Sequence, residues 1–293
     1  MFLFIYILIG ILLGPSFVKA TAPEWLFSLA SFGFLFVAGF ELDLQSLKKD
    51  ASIAAKLATG AFLLPFIAGI ALAFFALGKS DVQGLLVVAI AFAISALPVV
   101  VQILKDLKIY ETRQGHIIVA AATICDLLAW VIFTIIIPVE AREKWIMSHL
   151  PVFFFFIGVG LSSILKHTDR MIQISTNLGK FVFGPIFFIG VGMKINWQET
   201  FDLKQCLLIL VVATLSKMLG VFVTARQVGF DKRDSSLLAF VLNARGAMEI
   251  LFCAIAFKLG LIDATLFTSL IIMAVLSSVI ASPLVKIFLS SRK

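Results

Sequence analysis

Apolar segments separated by short charged or Pro/Gly-containing loops fill almost all of this 293-residue chain, in which 61% of the residues are hydrophobic. A helix needs about 20 apolar residues to cross a bilayer, and only helices and closed barrels satisfy their backbone hydrogen bonds in lipid. We therefore expect an all-α polytopic membrane protein with about ten transmembrane helices. The segments lie near residues 1–14, 25–40, 53–77, 84–104, 115–138, 150–165, 178–193, 205–228, 236–257 and 262–289.

Positive charge distinguishes two sets of loops. Of 24 Lys and Arg in a chain of net charge +7, only Lys217 and Arg245 lie deep inside apolar segments. The loops after even-numbered segments carry the larger share, so the positive-inside rule predicts cytoplasmic termini. We expect an inner membrane of a bacterium or archaeon, and no nucleic-acid partner. The first segment is short, and two interpretations stay open: it spans the membrane, or it is a cleaved signal peptide.

Five helices followed by five helices indicate an inverted repeat, because a second copy with an odd number of helices must insert upside down. We predict a first repeat over residues 1–138, a connecting loop over 139–149 and a second repeat over 150–293. Transporters built in this way have their site near the midplane, at the repeat interface, on discontinuous helices. The fourth and ninth segments are expected to be two such crossing helices.

Asp126 lies near the middle of residues 114–138, a segment that is otherwise almost uncharged. At about 1.5 Å per residue, this position falls close to the bilayer midplane. An ionisable group there is costly unless a partner, water or an ion compensates it, so it marks a substrate, ion or proton site. A buried carboxylate can hold either a proton or a small cation. Competition between the two at Asp126 would couple opposite fluxes without a covalent step.

Two of the predicted helices contain features that interrupt a helix at this depth. In the fourth segment, Pro98 has no amide hydrogen for the carbonyl of Ile94 and clashes with it, so the helix should break there. Ser95 and the carbonyls freed by the break are candidate cation ligands. In the ninth segment, Asn243 and Gly246 belong to a polar cluster that would be unusual in a lipid-facing helix. A proline kink and a helix-packing glycine are the alternative interpretation.

The charged residues inside the apolar segments also have two interpretations. Lys217 is a base of the kind that buried sites use as a proton carrier, so we expect it to take part in ion or proton binding. Arg245 stays charged at physiological pH and lies four residues before Glu249, so these two can pair on one helix face. The alternative interpretation is that these bases and acids only hold the crossing helices together. We expect charge compensation at the crossing from Pro98, Asn243, Arg245, Gly246 and Glu249.

Seven stretches, taken in order, resemble the second branch of the monovalent cation:proton antiporter superfamily, which includes bacterial potassium efflux antiporters and plant cation/proton exchangers. Residues 120–128 match the helix with the ion-binding aspartate, 216–220 the helix with a functional lysine, and 243–249 the second crossing helix. The other stretches are residues 10–16, 36–44, 93–105 and 184–193. Family members usually have twelve or thirteen helices. We expect a shortened version, without the first family helix and about two helices between residues 138 and 179.

The resemblance implies exchange of a monovalent cation, Na⁺ or K⁺, for protons, with Asp126 as the ion-binding aspartate. The expected ion- and proton-binding residues are Asp126, Cys125, Thr123, Ser95 and Lys217. Cys125 stands where relatives usually have Asp, Asn or Gln. One formal carboxylate therefore remains where some relatives have two, and the simplest cycle exchanges one proton for one cation.

Other functional classes remain for comparison. An ion-coupled symporter of an organic anion would use the same fold, but it would need a wider cavity and more Asn, Gln or Glu ligands. A truncated, non-transporting homologue is a further alternative. An intramembrane aspartyl protease needs two membrane aspartates, and only Asp126 is available, so we expect no enzyme. We also expect no cofactor, no metal site beyond the transported cation, and a homodimer in the lipid bilayer.

Overall fold

The computed structural model describes residues 2–20, 23–40, 50–95, 97–137, 142–164 and 169–290. All regular secondary structure in these residues is helical, which confirms the all-helical prediction. A π-helical turn, Gly179–Phe183, joins the helix Asp169–Leu178 to the helix Gly184–Gly192. The helices are α1 (Phe2–Leu13), α2 (Glu24–Phe40), α3 (Ala51–Phe75), α4 (Val82–Ala93), α5 (Leu97–Asp106), α6 (Arg113–Ile136), α7 (Arg142–Ile164), α8 (Asp169–Leu178), α9 (Gly184–Gly192), α10 (Trp197–Thr200), α11 (Leu203–Gln227), α12 (Lys232–Leu242), α13 (Ala247–Lys258) and α14 (Ala264–Ser290).

The apolar helices identify an integral membrane protein. In the described part of the chain, α3, α6, α11 and the helical stretch Gln173–Gly192 are each long and apolar enough to cross a bilayer. Helices α12 and α13 meet the same criterion together, with a bend of 42° at the break between them. Every predicted apolar segment coincides with a helix or an interrupted helix. The arrangement of ten spans as two inverted repeats stays a prediction.

The segment predicted as a connecting loop, residues 139–149, is largely helical. Helix α7 begins at Arg142, so residues 142–149 belong to it. Hydropathy marks only the apolar part of a helix, whereas Arg, Glu and Lys at residues 142–144 are good helix formers that a hydropathy boundary excludes. The helix therefore extends about two turns ahead of its apolar part.

Packing divides the chain into two compact units. One consists of Met1–Leu44 and Ile137–Phe201, and the other of Gln45–Ile136 and Asp202–Lys293. Each unit contains helices from both predicted repeats, so this division and the predicted repeat boundaries describe different properties. Residues 41–49, 96, 138–141 and 165–168 lie outside the described part.

In the first unit, α1 packs against α9 and α2 against α7. Small residues allow the first of these pairs to approach at backbone distance. A Cβ atom at Gly10 would meet the carbonyl of Ile189, and one at Gly192 would meet the carbonyl of Ile7. This type of contact is common where membrane helices pack against each other.

In the second unit, α3 contacts α11, α4 and α6, and α14 contacts α11, α12 and α13. Helices α4 and α12 both start at an aspartate cap. Asp81 accepts a hydrogen bond from the amide of Gly84 at 2.6 Å, and Asp231 accepts one from the amide of Asp234 at 2.6 Å. Both helices then end among buried residues, at Ala93 and Leu242 respectively. The second unit therefore contains two buried helix ends.

Candidate ion-binding site

The first buried helix end is that of α4. Residues 87–94 are buried throughout, and α5 starts only at Leu97. Pro98 lies in the first turn of α5, where proline is tolerated, but it would remove a hydrogen bond from a continuous helix. The ring of Pro98 itself lies outside the described part. The break leaves the last carbonyls of α4 without helical partners in apolar surroundings.

Two buried cations contact these carbonyls. Nη1 and Nη2 of Arg245 lie 2.6 and 2.8 Å from the first two, and Nζ of Lys217 lies 2.7 and 2.5 Å from the last two. Both side chains are completely buried. A positive charge at the carboxyl end of a helix also interacts favourably with the helix dipole. The four carbonyls are those of Ala91, Phe92, Ala93 and Ile94.

Asp126, on α6, lies beside this break and is 1% exposed. Its Oδ1 accepts a hydrogen bond from the backbone N–H of Ser95 at 3.3 Å. Its Oδ2 is buried and has no hydrogen-bond partner among the described residues. None of the ion pairs between described residues includes Asp126. The carboxylate therefore has one oxygen available for a proton or a cation.

The second break, residues 243–246, separates α12 from α13. The Oγ of Ser95 donates to the carbonyl of Leu242, the last residue of α12, at 3.3 Å. Since the N–H of Ser95 is bonded to Asp126, this one residue connects α6 with both breaks. Gly246 has an extended backbone and directly precedes α13.

Arg245 and Glu249 form the predicted pair, but at a long distance. Oε1 of Glu249 lies 3.4 Å from Nη1 of Arg245, and both side chains are completely buried. Arg245 makes shorter bonds to the carbonyls of α4, and Nη2 also donates to the carbonyl of Ala213 at 3.3 Å. Oε2 of Glu249 and Oδ1 of Asn243 are buried without a hydrogen-bond partner among the described residues. Most of the bonds of Arg245 therefore go to backbone carbonyls.

Thr123 and Cys125 are close to Asp126 in sequence, but their hydrogen atoms point elsewhere. Thr123 Oγ1 donates to the carbonyl of Val119 on its own helix at 2.9 Å. The thiol of Cys125 donates to the carbonyl of Ala58 on α3, with the sulfur 3.7 Å from the oxygen. Both side chains are completely buried. The structure thus brings the sequence-predicted residues into one unit without joining Thr123 or Cys125 to Asp126 by a hydrogen bond.

Known proteins resemble this chain along nearly its whole length. The sequence profile of the family described as sodium/hydrogen exchanger, transmembrane, matches residues 3–164 and 155–291. The chain belongs to this family. The resemblance to the monovalent cation:proton antiporter superfamily is thereby confirmed, and the family consists of transporters rather than enzymes.

Relatives of this exchanger-family chain occur in bacteria and plants. The Na(+)/H(+) antiporter NhaS4 of Synechocystis sp. is 26% identical, over 95% of this chain and 88% of that protein. The Na(+)/H(+)-K(+) antiporter GerN of Bacillus cereus is 25% identical, over 96% of this chain and 88% of that protein. Cation/H(+) antiporter 20 of Arabidopsis thaliana is 27% identical over 94% of this chain, but the match covers only 44% of the plant protein.

Among solved structures, the sodium proton antiporter MjNhaP1 from Methanocaldococcus jannaschii has a similar fold. The TM-score is 0.64 at 12% sequence identity, over 98% of this chain and 90% of that one. The likeness supports the fold of the exchanger family for this chain.

The exchanger family also indicates where this chain is shorter. The alignment with the Synechocystis relative extends over 363 positions although it includes 95% of only 293 residues, so the relative has residues that this chain lacks. The family profile matches in two parts that meet at residues 155–164. This position falls within the interval, residues 138–179, where the sequence predicts that about two family helices are missing.

Sequence reasoning missed two features of this exchanger-family site. A broken helix in lipid needs donors for its last carbonyls, so the bonds that Lys217 and Arg245 donate to the end of α4 could have been anticipated from the break. Ser278, on α14, donates its hydroxyl hydrogen to the carbonyl of Arg245. No sequence signal distinguishes Ser278 from other serines on apolar helices.

Proposed function

We propose that this protein exchanges Na⁺ or K⁺ for protons across a membrane by competition at Asp126. The observation that carries this proposal is the buried Oδ2 of Asp126, which has no donor among the described residues and lies on a helix that is in contact with a broken one. A buried carboxylate oxygen without a partner is costly, and either a proton or a cation would compensate it. The names of the bacterial relatives specify Na⁺/H⁺ exchange, and that of GerN adds K⁺.

The oxygen atoms of Ser95 and Thr123 are proposed ligands of the cation. Each hydroxyl gives its hydrogen to a backbone carbonyl, which leaves oxygen lone pairs free. The carbonyls of Ala93 and Ile94, which the sequence suggests as ligands, already accept hydrogen bonds from Lys217. Cys125 adds no charge, because its thiol is neutral and bonded to a carbonyl.

Lys217 and Arg245 are proposed to provide the fixed positive charge of the site. The Lys217 ammonium donates to two carbonyl acceptors, which favour its charged form in this conformation. With Asp126 and Glu249 ionised, the two acids balance the two bases. A proton or a monovalent cation at Asp126 then gives the same net charge, so both loaded states differ little in electrostatic cost.

The wider arrangement is also a proposal. We propose two inverted repeats with crossing helices at the two breaks, a homodimer, cytoplasmic termini, and the inner membrane of a bacterium or archaeon. The orientation is supported by the larger share of Lys and Arg in the loops after even-numbered apolar segments.

The direct test is exchange in liposomes that contain the purified protein and an internal pH dye. We expect an outward or inward cation gradient of Na⁺ or K⁺ to move protons in the opposite direction, with no response to choline. Adding each cation in turn identifies the substrate. A dye signal that no cation changes would contradict exchange and favour the symporter of organic anions or the non-transporting homologue.

Charge balance provides a second expected result. With a single exchanging carboxylate and a Lys217 that stays charged, one proton is exchanged for one cation and no net charge crosses the membrane. We therefore expect the same exchange rate at zero and at about −100 mV. A cycle that moved one net charge would change in free energy by about 2.3 kcal/mol at that potential. The potential is clamped with potassium and valinomycin, or with another ionophore if K⁺ is the substrate. A several-fold rate change that disappears in Lys217→Gln would show that Lys217 releases a second proton.

A further inference from the structure

Unpaired buried oxygens in the second unit indicate where a cation would complete the structure. Three side-chain oxygens there are buried without a hydrogen-bond partner among the described residues: Oδ2 of Asp126, Oδ1 of Asn243 and Oε2 of Glu249. Buried polar atoms are nearly always paired, so an unpaired one often marks an absent ion or water. Asp126 is already the proposed exchange site, and the other two oxygens can be compared as additional ligands.

Glu249 is the less suitable of the two. The guanidinium of Arg245 lies 3.4 Å from its Oε1 and is charged at every physiological pH. A cation bound at Glu249 would face this like charge at short distance in a medium of low dielectric constant. Asn243 is neutral, 7% exposed, and none of the ion pairs between described residues includes it.

Leu242, the residue before Asn243, is connected to Asp126 through Ser95. The N–H of Ser95 is 3.3 Å from Oδ1 of Asp126, and its Oγ is 3.3 Å from the carbonyl oxygen of Leu242. Asn243 follows Leu242 directly in the chain. The amide oxygen of asparagine is a ligand type that hard cations prefer.

The two buried helix ends also differ in charge. The carboxyl end of α4 has two cations on its last four carbonyls, whereas the last carbonyl of α12 accepts a hydrogen bond only from the hydroxyl of Ser95 among the described residues. Each helix end has the same partial negative charge. No charged donor therefore bonds to the last carbonyl of α12, next to Asn243, among the described residues.

We propose that Asn243 is a ligand of the transported cation, which occupies the carboxyl end of α12 together with Asp126. This proposal rests on the proposed function and specifies its binding site. A proton bonds to Asp126 alone and needs no second ligand, whereas a cation needs several oxygens. Asn243 therefore acts on the affinity for the cation and not on the affinity for the proton.

The variant Asn243→Ala separates these two affinities in proteoliposomes. We expect the half-saturating cation concentration to rise about tenfold or more, as for other losses at metal sites. The maximal rate should stay unchanged. When the cation is supplied at the same multiple of each protein's half-saturating concentration, protons should half-inhibit exchange at the same pH in both. Half-saturation equal to that of the unaltered protein, for Li⁺, Na⁺ and K⁺ alike, would overturn the proposal.

Two further variants distinguish a ligand from a helix cap. Asn243→Gln keeps the amide oxygen on a longer side chain, so we expect partial recovery of affinity with a changed order of preference among Li⁺, Na⁺ and K⁺. Ser278→Ala removes a hydrogen bond to the same break without removing a proposed ligand. Ser278→Ala should leave the order of preference among the three cations unchanged. If it changes this order as much as Asn243→Gln does, the change comes from the backbone of the break and not from the amide of Asn243. If the unaltered protein exchanges no cation, the proposed function fails; if it does and Asn243→Ala matches it, only this inference fails.

A spectroscopic measurement observes the asparagine side chain directly. The chain has three asparagines, Asn177, Asn196 and Asn243, and the first two belong to the first unit. Protein labelled with ¹³C at the asparagine side-chain carbonyl can be compared by infrared difference spectroscopy with and without the transported cation. A cation-dependent shift of the labelled amide band that is lost in Asn243→Gln, but kept in Asn177→Gln and Asn196→Gln, supports the proposal. Carboxylate bands that change with the cation while the labelled band stays constant would contradict it.

Discussion

Replacing Asp126 by Asn is expected to reduce cation-driven proton movement to the background of empty liposomes, a loss of about 100-fold or more, while the protein still folds. The amide has nearly the same volume, and its oxygen can still accept the N–H of Ser95. It cannot release a proton, and without a negative charge it cannot offset the desolvation of a cation. The pH-dye assay in proteoliposomes measures the loss, and size-exclusion chromatography with thermal unfolding in detergent checks the fold.

Two controls specify the role of this carboxylate. Asp126→Glu keeps the charge but moves it by one methylene, so partial activity with a changed cation preference is expected. Asp50→Asn alters an acid of the same unit that lies outside the apolar helices. Hydrogen bonds from Arg113 lower the pKa of the Asp50 carboxyl. This variant should exchange like the unaltered protein. If Asp126→Asn also does so, Asp126 has a structural role and the proposed mechanism is wrong.

The helices and their interruption were predictable because lipid leaves few choices. Long apolar segments must be helical in a bilayer, and Pro98 in the centre of one of them predicts that the helix stops, as α4 does at Ala93. The start of α7 at Arg142 was not predictable from hydropathy, since charged residues in its first turns resemble a loop. The division into two units depends on packing between distant helices, which no local pattern specifies.

Side-chain partners within the site were predictable only in part. Spacing indicated the contact between Arg245 and Glu249, because residues four apart share a helix face. Spacing gave no information on the carbonyls of α4, which lie more than 100 residues away in the chain. Likewise, the position of Asp126 indicated its depth, but not that Ser95 would bond to it and to Leu242 at once.

Replacing Arg245 by Met is expected to have the largest effect on stability, about 3–5 kcal/mol, the usual result of removing one partner from a buried ion pair. The methionine fills much of the same volume but donates no hydrogen bond. Three backbone carbonyls would lose a donor, and Glu249 would lose its nearest cation. Thermal unfolding in detergent, with the unaltered protein as reference, measures the change. The carbonyls are those of Ala91, Phe92 and Ala213.

A double variant separates the ion pair from the carbonyl contacts. In Arg245→Met with Glu249→Gln, neither charge of this pair remains, so the cost that remains belongs to the carbonyls. Since Nη1 of Arg245 is 3.4 Å from Glu249 but 2.6 Å from the carbonyl of Ala91, we expect the second substitution to recover less than half of the lost stability. Glu249→Gln alone should cost less than Arg245→Met. Full recovery in the double variant would instead mean that Arg245 mainly neutralises Glu249, and that the end of α4 is stable with Lys217 as its single cation.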